Sequence, residues 1–193
     1  MSFLWKYINK IPHQSALQLR TRSFEKELVD LPEEARSIID NVQLHWGDCI
    51  EFVGAPGTGK SPRMIKLAQL VASDSSQVVF VDFDCRIHLQ PFENQYLYQP
   101  QDEAERYGVI LGLRRWLSEN TDSVVGWVFV DGWLDQELKR ELVSCQAMWG
   151  FILVTSRQHT QIGSRVSTDS SVSTVRRHNQ QIEVVFLETL LLA

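Results

Sequence analysis

Apolar and polar positions alternate along the chain in blocks that predict strands and helices in turn. The run Ile50-Glu51-Phe52-Val53 reads as a buried strand, and Met64 to Val71 spaces its apolar residues along one helical face. After the break at Asp74-Ser75-Ser76, the run Gln77-Val78-Val79-Phe80-Val81-Asp82-Phe83-Asp84 predicts a central parallel strand ending in acids. That end is where open α/β sheets bind their ligands. If the strand continues through both acids, Asp82 and Asp84 point to opposite faces, so at most one faces a ligand. Residues 86–100, with Pro91 and Pro100, read as irregular. A helix is predicted from Gln101 to about Glu119, with Val109, Leu113, Trp116 and Leu117 on its apolar face and Arg106, Arg114 and Arg115 solvated. Val124 to Gly132 predicts a strand, 134–147 a helix, and Trp149 to Thr155 another buried strand. The β–α–β–α–β–α–β order calls for a mainly parallel sheet with right-handed crossovers and flanking helices.

The two ends depart from this rhythm. Residues 1–46 read as a lead-in to a core spanning 47–193, with an apolar segment, Phe3 to Ile8, that reads as a short helix docking on the core or else on a partner. Leu31-Pro32-Glu33-Glu34-Ala35 predicts a turn opening a helix, with Pro32 at its first position and acids in the first turn. His45 has no neighbour that would orient it for catalysis and reads as structural. From Ser156 to residue 178 the chain is rich in Ser and Thr and carries Arg157, Arg165, Arg176 and Arg177 against a lone acid, Asp169. It reads as a locally basic loop, either plainly solvated or in contact with nucleic-acid phosphates. Gln181 to Glu188 predicts a closing C-terminal antiparallel strand, in a hairpin if it pairs with Val172 to Arg177; Leu190-Leu191-Leu192-Ala193 leaves an apolar end that wants burial.

Composition adds bounds. A chain of 193 residues with 44% hydrophobic and 22% charged residues suits one globular core. A formal net charge of −5 argues against a wholly basic nucleic-acid binder and allows a local basic patch. Cys49, Cys85 and Cys145 lie far apart, without metal-ligand spacing, and read as buried free thiols in a reducing compartment. No apolar stretch has membrane-spanning length and no signal-peptide core is evident, so the expectation is a soluble, intracellular protein without membrane contact.

The chemistry is concentrated in one turn. Gly54-Ala55-Pro56-Gly57-Thr58-Gly59-Lys60-Ser61 satisfies G-x-x-x-x-G-K-S, the Walker A pattern, between a predicted strand and a predicted helix. Glycines allow successive backbone N–H groups to point at phosphate oxygens, and the helix N-terminus adds partial positive charge there. Lys60 would bridge the outer phosphates of ATP, and the Ser61 hydroxyl would hold Mg²⁺. Pro62 removes the backbone N–H that would otherwise reach the first phosphate, although proline fits a first helical turn sterically. The strand ending at Asp131 has the Walker B form, and that acid is expected beside Ser61, holding Mg²⁺ through water.

The segment Gly47-Asp48-Cys49-Ile50-Glu51-Phe52-Val53-Gly54 through Ser61 resembles the G-D-(I/V)-x-E-(F/I)-x-G-x-x-G-x-G-K-(T/S) opening of RecA-family recombinases, in particular the eukaryotic Rad-type paralogues. Val79 to Asp84 is similar to the family's Y-I-D-T-E, the strand to Asp131 follows, and Leu153-Val154-Thr155-Ser156-Arg157 is similar to V-I-T-N-Q. Ser15 to Leu19 is weakly similar to the short segment preceding the core of these paralogues. The likeness covers about residues 45–188 and implies a P-loop RecA-like core.

It departs in ways that bear on activity. The family's water-activating glutamate is matched by the shorter Asp84, and its γ-phosphate-sensing Asn-Gln pair by Ser156-Arg157. The stretch 156–178 is short for full DNA-binding loops, and no N-terminal helical DNA-binding domain is present. The resemblance therefore implies a small nuclear accessory paralogue, of the kind found in Shu-type complexes. Such proteins form heteromers with other paralogues and help the main recombinase assemble on single-stranded DNA during homologous recombination repair of DNA damage. Lys60 and Asp84 are the implied catalytic pair, working weakly or not at all, with Arg157, Arg165, Arg176 and Arg177 as candidate DNA contacts. The alternative is a working small P-loop enzyme, either a DNA-dependent ATPase or a nucleotide kinase, in which Arg165 or Arg176 would serve a lid.

Overall fold

The computed structural model describes residues 27–73, 76–87, 94–119 and 124–158, and the backbone of 182–187. The expectations for Phe3 to Ile8, Ser15 to Leu19, the hairpin strand 172–177, Arg165, Arg176, Arg177 and the apolar end all lie outside the described residues.

The long apolar runs form the sheet. Its strands are β1 (Cys49–Gly54), β2 (Gln77–Asp82), β3 (Gln95–Tyr98), β4 (Val125–Asp131), β5 (Ile152–Gln158) and β6 (Ile182–Leu187). Their spatial order is β3-β2-β4-β5-β1-β6, with the first five parallel and β6 antiparallel against β1. The described helices are α1 (Glu33–Ile38), α2 (Lys60–Val71), α3 (Glu103–Glu119) and α4 (Gln136–Trp149). The chain is thus α/β, a five-strand parallel sheet flanked by helices.

Strand alternation divides the core into two layers. Ile50, Phe52, Phe80, Phe129 and Val154 face Met64, Leu67 and Ala68 of α2 and Ala35 of α1. Val79, Val81, Val128, Val130 and Leu153 face Ile110, Leu113 and Leu117 of α3 and Leu138 and Leu142 of α4. Strands buried on both faces are the reason β1 and β4 read as nearly unbroken apolar runs. Gln146 is buried in α4, where its Nε2 donates to the carbonyls of Gly47 at 3.1 Å and Asp48 at 2.7 Å, fixing the entry to β1. Asp135 caps α4, accepting from the Leu138 N–H at 2.8 Å through one oxygen and from the Tyr107 hydroxyl at 2.8 Å through the other.

Several expectations are corrected. The span 86–100 contains β3, a four-residue strand that pairs only with β2 among the described residues, too short and too polar to read as a strand. Strand β2 stops at Asp82, with Asp84 in the following turn, so strand alternation does not govern the two acids. Strand β5 runs to Gln158, because Ser156, Arg157 and Gln158 pair in register with Phe52, Val53 and Gly54; the polar loop begins later than Ser156. Pro32 is the N-cap of α1 and not its first helical residue. The buried face of α3 is Ile110, Leu113 and Leu117, with Val109 and Trp116 only partly buried. Arg106 is not a solvated charge: it donates to the Phe83 carbonyl at 3.0 Å and lies over the Phe83 ring. Cys49 and Cys145 are buried as expected, whereas Cys85 is half-buried.

Residues 27–46 pack into the core. Leu28 bridges His45, and Leu31, Ala35, Ile39 and Leu44 join the α2-side layer. His45 donates its backbone N–H to Asp48 at 2.7 Å and its ring lies 3.6 Å from the same carboxylate, so the ring does have an acidic neighbour, contrary to the expectation.

Candidate nucleotide site

The P-loop glycines take up the backbone that their pattern calls for. Gly57 has φ +77° and Gly59 φ +90°, the left-handed region that strains residues with side chains. Gly59 is also the N-cap of α2. No side chain caps that helix and no acid lies in its first turn, so its leading N–H groups are left for another partner at the positive end of the dipole. Pro62 sits in that first turn, where its missing N–H breaks no helical hydrogen bond. The cost falls only on those leading donors.

Lys60 is 8% exposed and donates to the carbonyls of Gly54 and Ala55, both at 2.9 Å. Thr58 Oγ1 donates to the same Ala55 carbonyl at 2.8 Å. The loop is therefore folded around its own lysine. Burial lowers Lys60 below the ordinary lysine value, with Asp131 opposing the shift and Arg86 adding to it. Lys60, Asp131 and Arg86 thus belong to one electrostatic neighbourhood.

Strand β5 lies between β1 and β4, so its C-terminal end separates the P-loop from Asp131. Ser156 fills that gap, donating its hydroxyl to Asp131 Oδ1 at 2.5 Å and accepting from the Gly132 N–H at 3.1 Å. Gly132, at φ +115°, leaves no room for a side chain, since a Cβ there would lie 2.9 Å from that of Phe83. The turn after Asp131 is fixed by this close approach.

The two acids after β2 divide their work. Asp82 is fully buried and accepts from the backbone N–H groups of Asp84 (3.2 Å) and Ile87 (2.8 Å) and from Gln99 Nε2 (3.0 Å). It is the scaffold of the turn. Asp84 lies on the cleft rim, with its carboxylate 3.3 Å from Arg86.

One cleft of about 670 Å³ lies at the C-terminal edge of the sheet, and Asp82 is not part of its lining. Pro56, Gly57, Gly59, Lys60, Ser61, Asp84, Asp131 and Arg157 of the predicted site line it, whereas Gly54, Ala55 and Thr58 do not, and the first two hold Lys60 through their carbonyls. Arg157, however, is anchored on the α4 side of the sheet, its Nη2 3.1 Å from the buried Glu51, which Lys139 approaches at 3.7 Å. Arg86, Trp133, Lys139 and Glu51 are cleft residues that the sequence reading missed. Of these, only Glu51 left a trace, a charge inside an apolar strand.

The donor set fits a magnesium nucleotide. The leading N–H groups and Lys60 would meet phosphate oxygens, and Ser61 with Asp131 would supply oxygen ligands to the metal. Among the described residues, no group of three or more His, Cys, Asp or Glu could hold a metal ion, so a magnesium ion at this site would need phosphate oxygens and water for its remaining ligands. Among the same residues no helix is long and apolar enough to cross a membrane. The chain matches no family model and no curated protein.

Proposed function

We propose that the chain is a P-loop protein with a RecA-like core that binds ATP with Mg²⁺ and serves as an accessory subunit in homologous recombination. In this reading it joins other recombinase paralogues in a nuclear heteromer of the Shu type. The heteromer helps the main recombinase assemble on single-stranded DNA, and ATP hydrolysis is weak or absent. The observation that carries the nucleotide part is the convergence of Gly57, Gly59, Lys60, Ser61, Asp131 and Asp84 on one cleft. The accessory part rests on the motif order described above and on what the cleft lacks for fast chemistry.

In-line hydrolysis needs a positioned water and stabilised charge on the transferred phosphoryl group. Asp84 is short for the first task, and its carboxylate is engaged by Arg86. Pro62 removes one phosphate donor. Lys60, Ser61 and the glycine N–H groups are left to bind and orient phosphates, and Mg²⁺ when bound would neutralise charge between them. A working DNA-dependent ATPase or nucleotide kinase is the second reading, favoured by the cations Arg86, Lys139 and Arg157 around the cleft. Arg157 remains a candidate DNA contact within the complex.

The experiment is co-purification of Lys60→Ala with its heteromer partners, beside ATP binding by the same variant. The reading expects nucleotide binding to be lost and assembly to be kept. Loss of assembly with an intact circular dichroism spectrum would contradict it.

A further inference from the structure

The cleft has a second lobe, which a magnesium nucleotide on the P-loop does not explain. Lys60 and Ser61 belong to α2, on one face of the sheet. Glu51 and Thr155 point to the other face, since each lies two residues beyond Cys49 or Leu153, which pack in the α3–α4 layer. Lys139 of α4, with Arg157, Trp133 and Leu134, completes this lobe.

Three observations there point to a ligand. Thr155 is 3% exposed, stands opposite Glu51 in the β1–β5 register and lines the cleft, yet its hydroxyl has no hydrogen-bond partner. A buried polar group left unpaired costs free energy, so a ligand that pairs with it gains affinity. Trp133 is 73% exposed at the rim, the most exposed large apolar side chain among the described residues. The turn that presents it is held by the close approach of Gly132 to Phe83, and its ring is free for stacking. The charges of the lobe also fail to cancel. Arg157 at 3.1 Å and Lys139 at 3.7 Å share the single carboxylate of Glu51. Lys139 Nζ is beyond hydrogen-bond distance from it, so its donors remain for an anion.

An aromatic platform, an unpaired buried hydroxyl and one spare cation match the parts of a nucleoside monophosphate. Aromatic side chains hold any base by its π-face. One spare cation suits one phosphate; a nucleic-acid strand calls for a run of cations along its backbone, and here Arg157 is engaged by Glu51. We propose that the α4-side lobe binds a free nucleoside monophosphate. Its base stacks on Trp133, its phosphate meets Lys139, and a polar group of the base or sugar pairs with the Thr155 hydroxyl. This site is separate from the P-loop and goes beyond the function proposed above.

The test is calorimetric titration of the full chain, without Mg²⁺, with dTMP, thymidine, inorganic phosphate and oligo(dT). The proteins are wild type, Trp133→Ala, Trp133→Phe, Lys139→Met, Thr155→Val and Lys60→Ala. Wild type binds dTMP more tightly than thymidine or phosphate. Trp133→Ala weakens dTMP about tenfold, the scale of a lost base stack, and Trp133→Phe recovers most of the loss. Lys139→Met weakens dTMP about tenfold and leaves thymidine within about twofold. Thr155→Val weakens dTMP severalfold while its urea midpoint stays at or above that of wild type, because the lost hydroxyl has no partner in the free protein. A hydroxyl serving the fold would lower that midpoint. Lys60→Ala keeps dTMP affinity within about twofold of wild type. Loss of dTMP binding in Lys60→Ala would assign it to the P-loop and overturn the inference. Absence of dTMP binding to wild type, affinity indifferent to Trp133 and Lys139, or Trp133-dependent binding of oligo(dT) alone would also overturn it. None of these results touches Mg²⁺- and Lys60-dependent ATP binding, on which the proposed function separately depends. Should Lys139→Met unfold, the Trp133 and Thr155 variants still decide the matter.

Discussion

Replacing Asp82 with alanine separates the scaffold acid from the cleft acid. Its carboxylate accepts three hydrogen bonds in a fully buried position. The 3.2 Å bond from the Asp84 N–H is long and contributes least. The Ile87 N–H at 2.8 Å loses its acceptor once the acid is gone, and a buried unpaired donor costs about 1–3 kcal/mol. Gln99 loses less, because its Nε2 also donates to the Ile87 carbonyl at 2.8 Å. The small cavity adds to the loss, and the sum is about 3 kcal/mol of folding stability. With a typical urea dependence of roughly 2 kcal/mol per molar, the unfolding midpoint falls by roughly 1.5 M. Amide exchange at Ile87 should accelerate more than exchange at Val79 or Val128, since the turn loosens while the strands stay paired. A midpoint unchanged within error would refute the assignment of Asp82 as the anchor of this turn.

Other outcomes follow from the same geometry. Ser156→Ala removes the hydroxyl joining Asp131 to the Gly132 N–H and should cost about 2 kcal/mol in urea unfolding, with weaker Mg²⁺ dependence of nucleotide binding. An unaltered unfolding curve would count against the bridge. Thiol labelling with iodoacetamide at neutral pH should modify half-buried Cys85 first. Burial, with Glu51 adding to it, pushes Cys49 up to about 12, and burial pushes Cys145 up to about 11. Early labelling of Cys49 would refute that order. Because burial lowers Lys60, its folded-state charge is lost at lower pH than an ordinary lysine's. Nucleotide affinity should fall as pH rises through that lowered value, and Lys60→Arg should move the alkaline decline upward. A decline that Lys60→Arg leaves in place would assign the titration elsewhere.

The sheet was legible because its central strands are buried on both faces and therefore unbroken in sequence, as Val128 to Val130 and Val78 to Val81 demonstrate. The P-loop was legible because positive-φ glycines and a helix start impose a fixed local spacing. Strand β3 escaped because it has one pairing partner among the described residues and is itself half-exposed, so its pattern carries little apolar signal. Arg106 escaped because its partner, the Phe83 carbonyl, belongs to another element. The Glu51, Lys139 and Arg157 cluster was hidden for the same reason, being assembled from β1, α4 and β5. Local spacing reports local geometry; contacts between elements leave no period to read.

The proposed role requires a cleft that would bind a magnesium nucleotide without turning it over quickly. Its most direct measurement is ATP binding and steady-state hydrolysis by the purified chain, wild type and Lys60→Ala, with and without single-stranded DNA. The account predicts Lys60-dependent binding and little hydrolysis, unchanged by DNA. Binding absent in wild type would contradict the phosphate cradle. Fast hydrolysis stimulated by DNA would contradict the accessory role and favour a working motor.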